Sequence, residues 1–267
     1  MLVTKATGQK EPFSEEKLRL SIKRAGIPDS INTQVLAHIK TKLYDNIPTY
    51  EIYKHITEFL SGSSHPYTKT KYSLKQAIMD LGPTGFPFED YFSEILKIEG
   101  FSTKTRQIIP GKCINHEIDI IAQKNEARIM IECKFHNNPG IKCHVHVSLY
   151  TKARFDDIKD KNHLTEVWLA TNTKITTEAL DYALCNNIKV ISWNHPKGSS
   201  LRDLVEKHRV HPITMLTTIT QTQKQQLASN HVVLAKDICK NPSSLDILGL
   251  PSDKKSSIVT ECQYVYG

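Results

Sequence analysis

Apolar and polar residues alternate in two neighbouring stretches near the middle of the chain. The first begins at His116 and reads His-Glu-Ile-Asp-Ile-Ile-Ala. The second reads Arg-Ile-Met-Ile-Glu-Cys-Lys-Phe and ends at Phe135. A period of two is typical of β-strands, and the polar residues 123–126 between the stretches indicate a turn. We therefore predict a β-hairpin over residues 116–135.

The alternation also predicts which side chains of this hairpin lie together. Successive side chains of a strand point to opposite faces, so Ile118 and Ile120 should face one way and Asp119 the other. In the second strand Glu132 and Lys134 should share one face, opposite the apolar residues that flank them. Pairing of the two strands would then gather Asp119, Glu132 and Lys134 on a single face.

Two carboxylates and an amine on one sheet face indicate a chemical site. The repulsion between the carboxylates is relieved by a hard divalent cation such as Mg²⁺, which usually binds one or two protein carboxylates together with phosphate oxygens. Lys134 could orient or help to deprotonate a water for in-line attack on a phosphodiester, while the metal stabilises the developing charge. The alternative is a surface salt bridge on a solvated sheet face. The residue types favour a hydrolytic phosphodiesterase site.

Asp119 followed by Glu132-Cys133-Lys134 resembles the signature of PD-(D/E)xK nucleases, and the flanking residues resemble the Mrr-like restriction endonuclease branch. The resemblance implies that Asp119, Glu132 and the backbone carbonyl of Cys133 hold Mg²⁺ or Mn²⁺, and that Lys134 positions the attacking water. Glu89 matches a further glutamate that members of this branch usually carry on the preceding helix. It would be an auxiliary ligand or a water contact. The proline that usually opens the signature is replaced here by isoleucine.

Residues 1–83 have the pattern of a separate unit. Residues 2–5 and 11–13 indicate two short strands, and Ser14 is placed to cap a helix that would end at Gly26. Three further helices are predicted. They cover residues 31–44, residues 49–60 with Thr49 as the cap, and residues 67–81 from Tyr67 onward.

This layout resembles the ATP-cone, a small nucleotide-binding domain that regulates ribonucleotide reductases and some transcriptional repressors. The resemblance implies a binding site for ATP or dATP. The implied contacts are Lys5 and Lys17 with the phosphates, and Glu11, Ser14, Thr49 and Tyr53 around the base and ribose. No Gly-rich loop of the Walker type is present, so the nucleotide would be sensed rather than hydrolysed. The alternative is a helical DNA-binding or dimerising module that kept the fold only.

The stretch after the Gly- and Pro-rich linker at 81–87 predicts further elements of the nuclease unit. Residues 88–99 form an amphipathic pattern that carries Glu89. Residues 166–171 and 189–193 predict strands joined by a helix over 177–186, which indicates a parallel crossover packed on the hairpin sheet. Thr171 and Asn172 would be supporting residues at the carboxyl end of the first of these strands.

A helix predicted over residues 149–161 is rich in basic side chains. These are Lys152, Arg154, Lys159 and Lys161. They could contact DNA phosphates, or the helix could be an ordinary solvated amphipathic helix. His144 and His146 just before it lack a partner pair with zinc-ligand spacing, so a zinc site is not predicted.

From Leu201 onward the pattern is helical, with short helices over 211–214 and within 224–239 and another pair that begins at Ile247. The run resembles helix-hairpin-helix modules, which bind DNA phosphates through backbone amides at helix ends. A packing or dimerisation element is the alternative.

Composition narrows the class of protein. Thirty-five basic and 28 acidic residues leave a net charge of +7, which suits a polyanionic partner such as DNA. The six cysteines show no paired spacing, which favours a reducing compartment. No signal-peptide pattern and no apolar run of about 18 residues occur, so we expect a cytoplasmic protein without membrane association.

The sequence thus predicts an α+β ATP-cone over residues 1–83, an α/β restriction-endonuclease-like mixed sheet flanked by helices over 86–200, and a small helical region over 201–267. The predicted activity is metal-dependent hydrolysis of DNA, regulated by ATP or dATP. A homodimer is expected, because cutting two strands with one site per chain usually needs two chains. The alternatives are a non-catalytic nucleotide-sensing DNA-binding regulator and a structural partner whose activity needs another subunit.

Overall fold

The computed structural model describes residues 1–25, 27–62, 70 and 72–266. Two sequence predictions therefore lie outside the described residues: the end of the first helix at Gly26, and the start of the fourth helix at Tyr67. None of the described helices combines the length and the apolar character that are needed to cross a bilayer.

The N-terminal unit packs helices against a small mixed sheet. Its elements are β1 (Leu2–Thr4), β2 (Lys10–Pro12), α1 (Glu15–Arg24), α2 (Asp29–Lys40), β3 (Ile47–Pro48), α3 (Thr49–Ser61) and α4 (Leu74–Met79). β1 pairs antiparallel with β2 and parallel with β3. Buried aliphatic residues from β1, β3 and the first three helices form its core.

The predicted helix starts in this unit are partly confirmed. Ser14 caps α1, because its hydroxyl accepts a hydrogen bond of 3.2 Å from the backbone N–H of Lys17. The prediction that Thr49 caps the third helix is wrong. Pro48 occupies the cap position without a side-chain hydrogen bond, and Thr49 is already the first helical residue. α2 ends at Lys40, four residues before the predicted boundary.

The central unit is a mixed sheet with helices on both faces. Its elements are α5 (Phe86–Ile98), β4 (Ser102–Pro110), β5 (Asn115–Lys124), β6 (Ala127–Lys134), β7 (Lys142–Cys143), α6 (Val145–Ile158), β8 (Glu166–Thr171), β9 (Lys174–Ile175), α7 (Thr177–Cys185) and β10 (Ile188–Ile191). In the described part of the chain the main sheet has the order β10-β8-β6-β5-β4.

Strand directions divide this sheet into two halves. β4, β5 and β6 are antiparallel neighbours, whereas β8 and β10 run parallel to β6 and to each other. The predicted hairpin and the predicted parallel crossover are both present. β4 was not predicted, because it is rich in polar residues and lies at the sheet edge, where a strand buries too little to show an apolar pattern.

The side-chain alternation of β5 is interrupted at Asp119. Ile120 packs in the cluster that covers α5, whereas Ile118 packs in the cluster on the other face, so the prediction that they face the same way is wrong. The β5–β6 pairing ends at Ile120 and Ile131. On the other side Arg106, which lies opposite Asp119 in β4, has a φ of 52°. The side-chain alternation of β5 therefore breaks at the residue that carries the first acid of the signature, opposite an irregular backbone position in β4.

Two apolar layers cover the main sheet. α5 packs on one face against a core that includes Ile120, Ile131 and Trp168. α6 and α7 cover the other face through a second core that includes Met130 and Leu169. Trp168 and Trp193 are both buried, as expected of core residues. The carboxyl ends of β6 and β8 lie between these layers.

The C-terminal region is helical and packs on the α5 side of the sheet. It contains α8 (Leu201–His208), α9 (Gln221–Ser229), α10 (Ala235–Lys240), α11 (Ser252–Tyr266) and two 3₁₀ segments, Ile213–Met215 and Pro242–Leu248. The predicted pair of helices from Ile247 is wrong, because Gly249 ends a 3₁₀ segment and one long helix follows.

Specific hydrogen bonds fix this region to the rest of the chain. The Tyr91 hydroxyl of α5 donates to the Val210 carbonyl at 2.7 Å. The buried Glu261 carboxylate of α11 accepts from the backbone N–H groups and the hydroxyls of Thr217 and Thr218, and from the hydroxyl of Thr70. The C-terminal helix is thereby joined to the segment that leads out of the N-terminal unit.

Candidate active site and nucleotide groove

Asp119 lies where β5 and β6 separate. Its Oδ2 accepts a hydrogen bond of 2.7 Å from the backbone N–H of Cys133. This side-chain hydrogen bond lies just beyond the last backbone-paired residues of the hairpin, and it fixes the carboxylate of Asp119 beside β6. Burial raises the pKa of Asp119, and the hydrogen bond from Cys133 opposes that rise.

Glu132 is buried beside Asp119 and pairs with an arginine from the helix layer. The Arg154 Nη1 of α6 donates to Glu132 Oε2, and the two side chains are only 8% and 13% exposed. Burial is the largest influence on Glu132 and the Asp119 charge is the next, and together they raise its pKa to about 7 despite Arg154 and Lys134.

Glu89 reaches the same cluster from α5. Its carboxylate accepts a hydrogen bond of 3.2 Å from Arg106 of β4, whose other amino group donates to Asp90 at 2.8 Å. Burial, and then the charge of Asp119, raise the pKa of Glu89 to about 7. The sequence prediction that Glu89 approaches the sheet residues is consistent with this electrostatic contact.

Lys134 is the last residue of β6 and is aligned with Thr171 of β8. The chain that follows is held by Asn172, which accepts from the His136 N–H at 2.9 Å and donates to the His136 carbonyl at 2.7 Å. Burial, and then the charge of Lys134, lower the pKa of His136 to about 4. Thr171 and Asn172 thus lie at the carboxyl end of β8 beside the segment that carries Lys134.

The structure brings the predicted Asp119, Glu132, Lys134 and Glu89 into one cluster whose charges influence each other. Sequence reasoning missed the two arginines that complete it, Arg106 and Arg154. The fragment that contains Arg106 gave no strand signal, and Arg154 was grouped with the basic residues of one helix.

All four of those basic residues have protein partners, and Arg154 pairs with Glu132 as described above. Lys152 and Lys159 pair with Asp156, and the Lys161 ammonium donates to the Gly111 carbonyl at 2.8 Å. Arg154 differs from them because it points into the sheet and is buried. The predicted row of phosphate contacts along this helix therefore remains a prediction.

The chemistry of the acidic cluster fits a hard divalent cation. Asp119 and Glu132 supply two carboxylates. Burial raises the pKa of both, and the charge of Asp119 adds to the rise at Glu132, so a bound cation would favour the ionised form of each carboxylate. Within the described residues no three His, Cys, Asp or Glu side chains come together as a complete ligand set. A metal here would therefore rely on these two carboxylates, the carbonyl of Cys133, and oxygens from substrate or water.

The N-terminal unit contains a groove of about 200 Å³ between its sheet and helices. The predicted nucleotide-binding residues that line it are Glu11, Ser14, Lys17, Thr49 and Tyr53. The remaining one, Lys5, lies beside the groove and pairs with Glu11 at 2.6 Å. The side chain of Lys17 is also 3.3 Å from Glu11.

Three family profiles match successive parts of the chain. Residues 1–78 match the ATP cone domain, residues 83–197 match a restriction endonuclease domain of the Mrr type, and residues 211–266 match a domain described as AF1548-like, C-terminal. The chain belongs to the Mrr-like restriction endonuclease family. An ATP-cone precedes its nuclease domain.

Two known proteins are similar to about two thirds of this chain. An uncharacterised protein of Archaeoglobus fulgidus is 36% identical over 179 residues, which cover 66% of this chain and 99% of the relative. The crystal structure of a protein of unknown function, AF1548, is 33% identical, with a TM-score of 0.62, and the match covers 69% of this chain and 99% of that one. The family membership supports a nuclease with a nucleotide-binding domain.

Proposed function

We propose that the protein is a metal-dependent DNA endonuclease that hydrolyses phosphodiester bonds and is regulated by ATP or dATP. The observation that supports this most strongly is the meeting of Asp119, Glu132 and Lys134 at the carboxyl end of the hairpin in a restriction-endonuclease sheet, with Glu89 beside them. Buried carboxylates that repel one another are costly to maintain, so the cluster is better explained by a catalytic role than by fold stability.

The chain's own residues would divide the work as follows. Lys134 would orient the attacking water and stabilise negative charge on it. Asp119, fixed by the Cys133 N–H at 2.7 Å, would be the rigid ligand, and Glu132, held by Arg154, the second. Glu89 would hold a water or complete the ligand set. Mg²⁺ or Mn²⁺ bound by Asp119, Glu132 and the Cys133 carbonyl would supply Lewis-acid stabilisation of the developing phosphate charge.

The partners follow from the same assignment. DNA is the expected substrate, and the net charge of +7 favours its binding. ATP or dATP would bind in the groove of the N-terminal unit, with Lys17 toward the phosphates. We expect a homodimer for double-strand cleavage, and the helical region after residue 200 would contribute to DNA contact or to dimer formation.

A non-catalytic nucleotide-sensing DNA-binding regulator is the second candidate. The observation that favours it is that Arg154 and Arg106 pair with Glu132 and Glu89. These pairs neutralise part of the acidic cluster, so the fold could retain the cluster without a metal. Such a protein would bind DNA and nucleotide and would leave the DNA intact.

The test is cleavage of supercoiled plasmid with Mg²⁺ or Mn²⁺, with and without ATP or dATP, by the wild type and Lys134→Ala. Lys104→Ala, an exposed lysine of β4 outside the cluster, is the matched control. We expect metal-dependent nicking by the wild type and the control, loss of nicking in Lys134→Ala, and equal DNA binding by all three. Tight DNA binding without cleavage under any condition would favour the regulator.

A further inference from the structure

A second and larger cavity lies where the three regions of the chain meet. Its volume is about 420 Å³, which is within the range of small-molecule sites. Lys17 comes from α1 of the cone, Lys75 from α4, and Trp193 from the segment after β10. The C-terminal region supplies Arg202 from α8 and His211 from the segment that follows α8.

The lining of this cavity is strongly basic. Three of those residues, Lys17, Lys75 and Arg202, carry positive charge, and Arg209 adds a fourth. Among the described lining residues Glu206 is the one acid, and its carboxylate is 3.8 Å from Arg202. A cavity with this excess of positive charge favours an anion with several charges.

Two side chains of the cavity are held in ways that suit anion binding. The Lys75 ammonium lies 5.6 Å from the Trp193 ring, and burial lowers the pKa of Lys75. The buried Nε of Arg202 makes no hydrogen bond within the described residues, although the Glu206 carboxylate lies 3.8 Å from it. A phosphate oxygen would provide an acceptor for Arg202 and offset the cost of burying Lys75.

The cavity adjoins the groove of the N-terminal unit, and the two spaces share lining residues. Lys17 and Tyr72 line both spaces, so they mark the boundary between them. A ligand whose base and ribose occupy the groove would extend past Lys17 into the basic cavity. The order of the two spaces therefore matches the order of the nucleoside and the polyanionic phosphate chain in one nucleoside triphosphate.

We propose that the phosphate chain of the cone's nucleotide enters this cavity and is bound by Lys75 and Arg202 as well as by Lys17. The proposal rests on the proposed binding of ATP or dATP by the cone. The nucleotide would then join the cone to α8, which lies outside the cone.

α8 provides a physical route from this cavity to the acidic cluster. His208, at the end of α8, pairs with Glu99, which caps α5. α5 also carries Glu89. A nucleotide that binds Arg202 would stabilise one position of α8 relative to α5, and the length of the phosphate chain would determine how strongly.

The test is equilibrium binding of ATP, AMP and adenosine to the full-length protein, measured by calorimetry. We expect Lys75→Gln and Arg202→Gln each to weaken ATP binding about tenfold, the size of one lost charge-assisted contact. Adenosine binding should be unchanged, which also shows that the variants fold. Lys207→Gln, on the same helix but paired with Glu99 at 3.0 Å, is the matched control and should bind ATP normally.

The possible outcomes separate this proposal from the proposed function. If the wild type binds ATP and both variants bind it equally well, the cavity proposal is wrong while nucleotide binding by the cone stands. If the wild type binds none of the three ligands, the cavity proposal and the proposed nucleotide binding by the cone are both wrong, and the proposed nuclease activity is still decided by plasmid cleavage. If inorganic triphosphate binds in an Arg202-dependent manner without competing with ATP, the cavity takes a free anion and the proposal for the nucleotide's phosphates is overturned.

Discussion

Arg154 of α6 donates a hydrogen bond to the Glu132 carboxylate of β6, and both side chains are nearly inaccessible to water. The pair crosses from the helix layer to the sheet, so it connects the position of α6 to the geometry of the acidic cluster. Burial, and then the charge of Asp119, raise the pKa of Glu132 to about 7. Arg154 therefore supports a carboxylate that its surroundings would otherwise protonate.

This pair predicts a strong coupling in stability. Arg154→Ala in metal-free buffer should lower the free energy of unfolding by about 1–3 kcal/mol, because it removes a buried charged hydrogen bond and leaves Glu132 to take up a proton without a partner. Glu132→Gln removes the charge that Arg154 balances, so the double variant should lose clearly less than the sum of the single losses. Urea unfolding of the four proteins measures this, and additive losses would show that the two side chains are not coupled.

Glu89 predicts a kinetic effect. Glu89→Gln keeps the shape of the side chain but removes its charge, so plasmid cleavage should slow by about 10- to 100-fold while DNA binding is retained. Glu94→Gln, on the same helix but paired with Lys97 at the surface, is the control and should cleave at the wild-type rate. Equal cleavage rates for the two variants would show that Glu89 has no role in the reaction.

The sequence contained enough to predict the hairpin and the signature residues but not their surroundings. The period of two over residues 116–135 reflects burial of one sheet face, which is a local property. The break at Asp119 depends on Arg106 in the neighbouring strand and on the end of β5–β6 pairing, which are properties of the folded sheet. Ile118 consequently lies on the face opposite to the predicted one.

The arginines of the cluster show the same limit. Arg154 is one of four basic residues on a predicted helix, and residue type alone does not separate the one that points inward from those that face solvent. Its role is set by how α6 packs across β6, 22 residues earlier in the chain. The ATP-cone domain was easier to predict, because the segments that line its groove carry family-specific residues in short, recognisable stretches, and the binding of a nucleotide there stays a prediction.

His136 predicts a dependence of stability on pH. Burial, followed by the charge of Lys134, lowers its pKa from 6.5 to about 4. Between these values the unfolded chain binds more protons than the folded protein, so the free energy of unfolding should fall as the pH drops from about 6.5 to about 4. Because His136 is only partly buried, we discount the full shift and expect this contribution to be on the order of 1 kcal/mol.

The measurement for His136 is a series of urea unfolding curves across this pH range. His136→Gln should give a shallower dependence than the wild type, since glutamine has no proton to take up. His163→Gln is the control, because His163 is exposed and its charge is not among those that lower the pKa of His136. Parallel curves for the wild type and His136→Gln would contradict the assignment.

The turn between β4 and β5 is fixed to α6 by Asp157. Its carboxylate accepts a hydrogen bond of 2.9 Å from the Cys113 N–H, and His116 Nε2 lies 2.8 Å away. The contact with His116, together with the hydrogen bonds from Cys113, holds the pKa of Asp157 well below its usual range. Asp157 is three residues after Arg154, so it lies on the same side of α6, and this turn sets where Arg154 meets the sheet.

Gly111 in that turn predicts a loss of both stability and activity. A Cβ added at Gly111 would overlap the Asp157 carboxylate and the Ile114 carbonyl, so Gly111→Ala should lower the free energy of unfolding by about 1–3 kcal/mol. Displacement of Asp157 should also shift Arg154 and slow plasmid cleavage. Gly62→Ala is the matched control, because its added methyl group would meet only the Phe59 carbonyl at 3.7 Å. If both glycine variants unfold and cleave alike, the turn does not position α6.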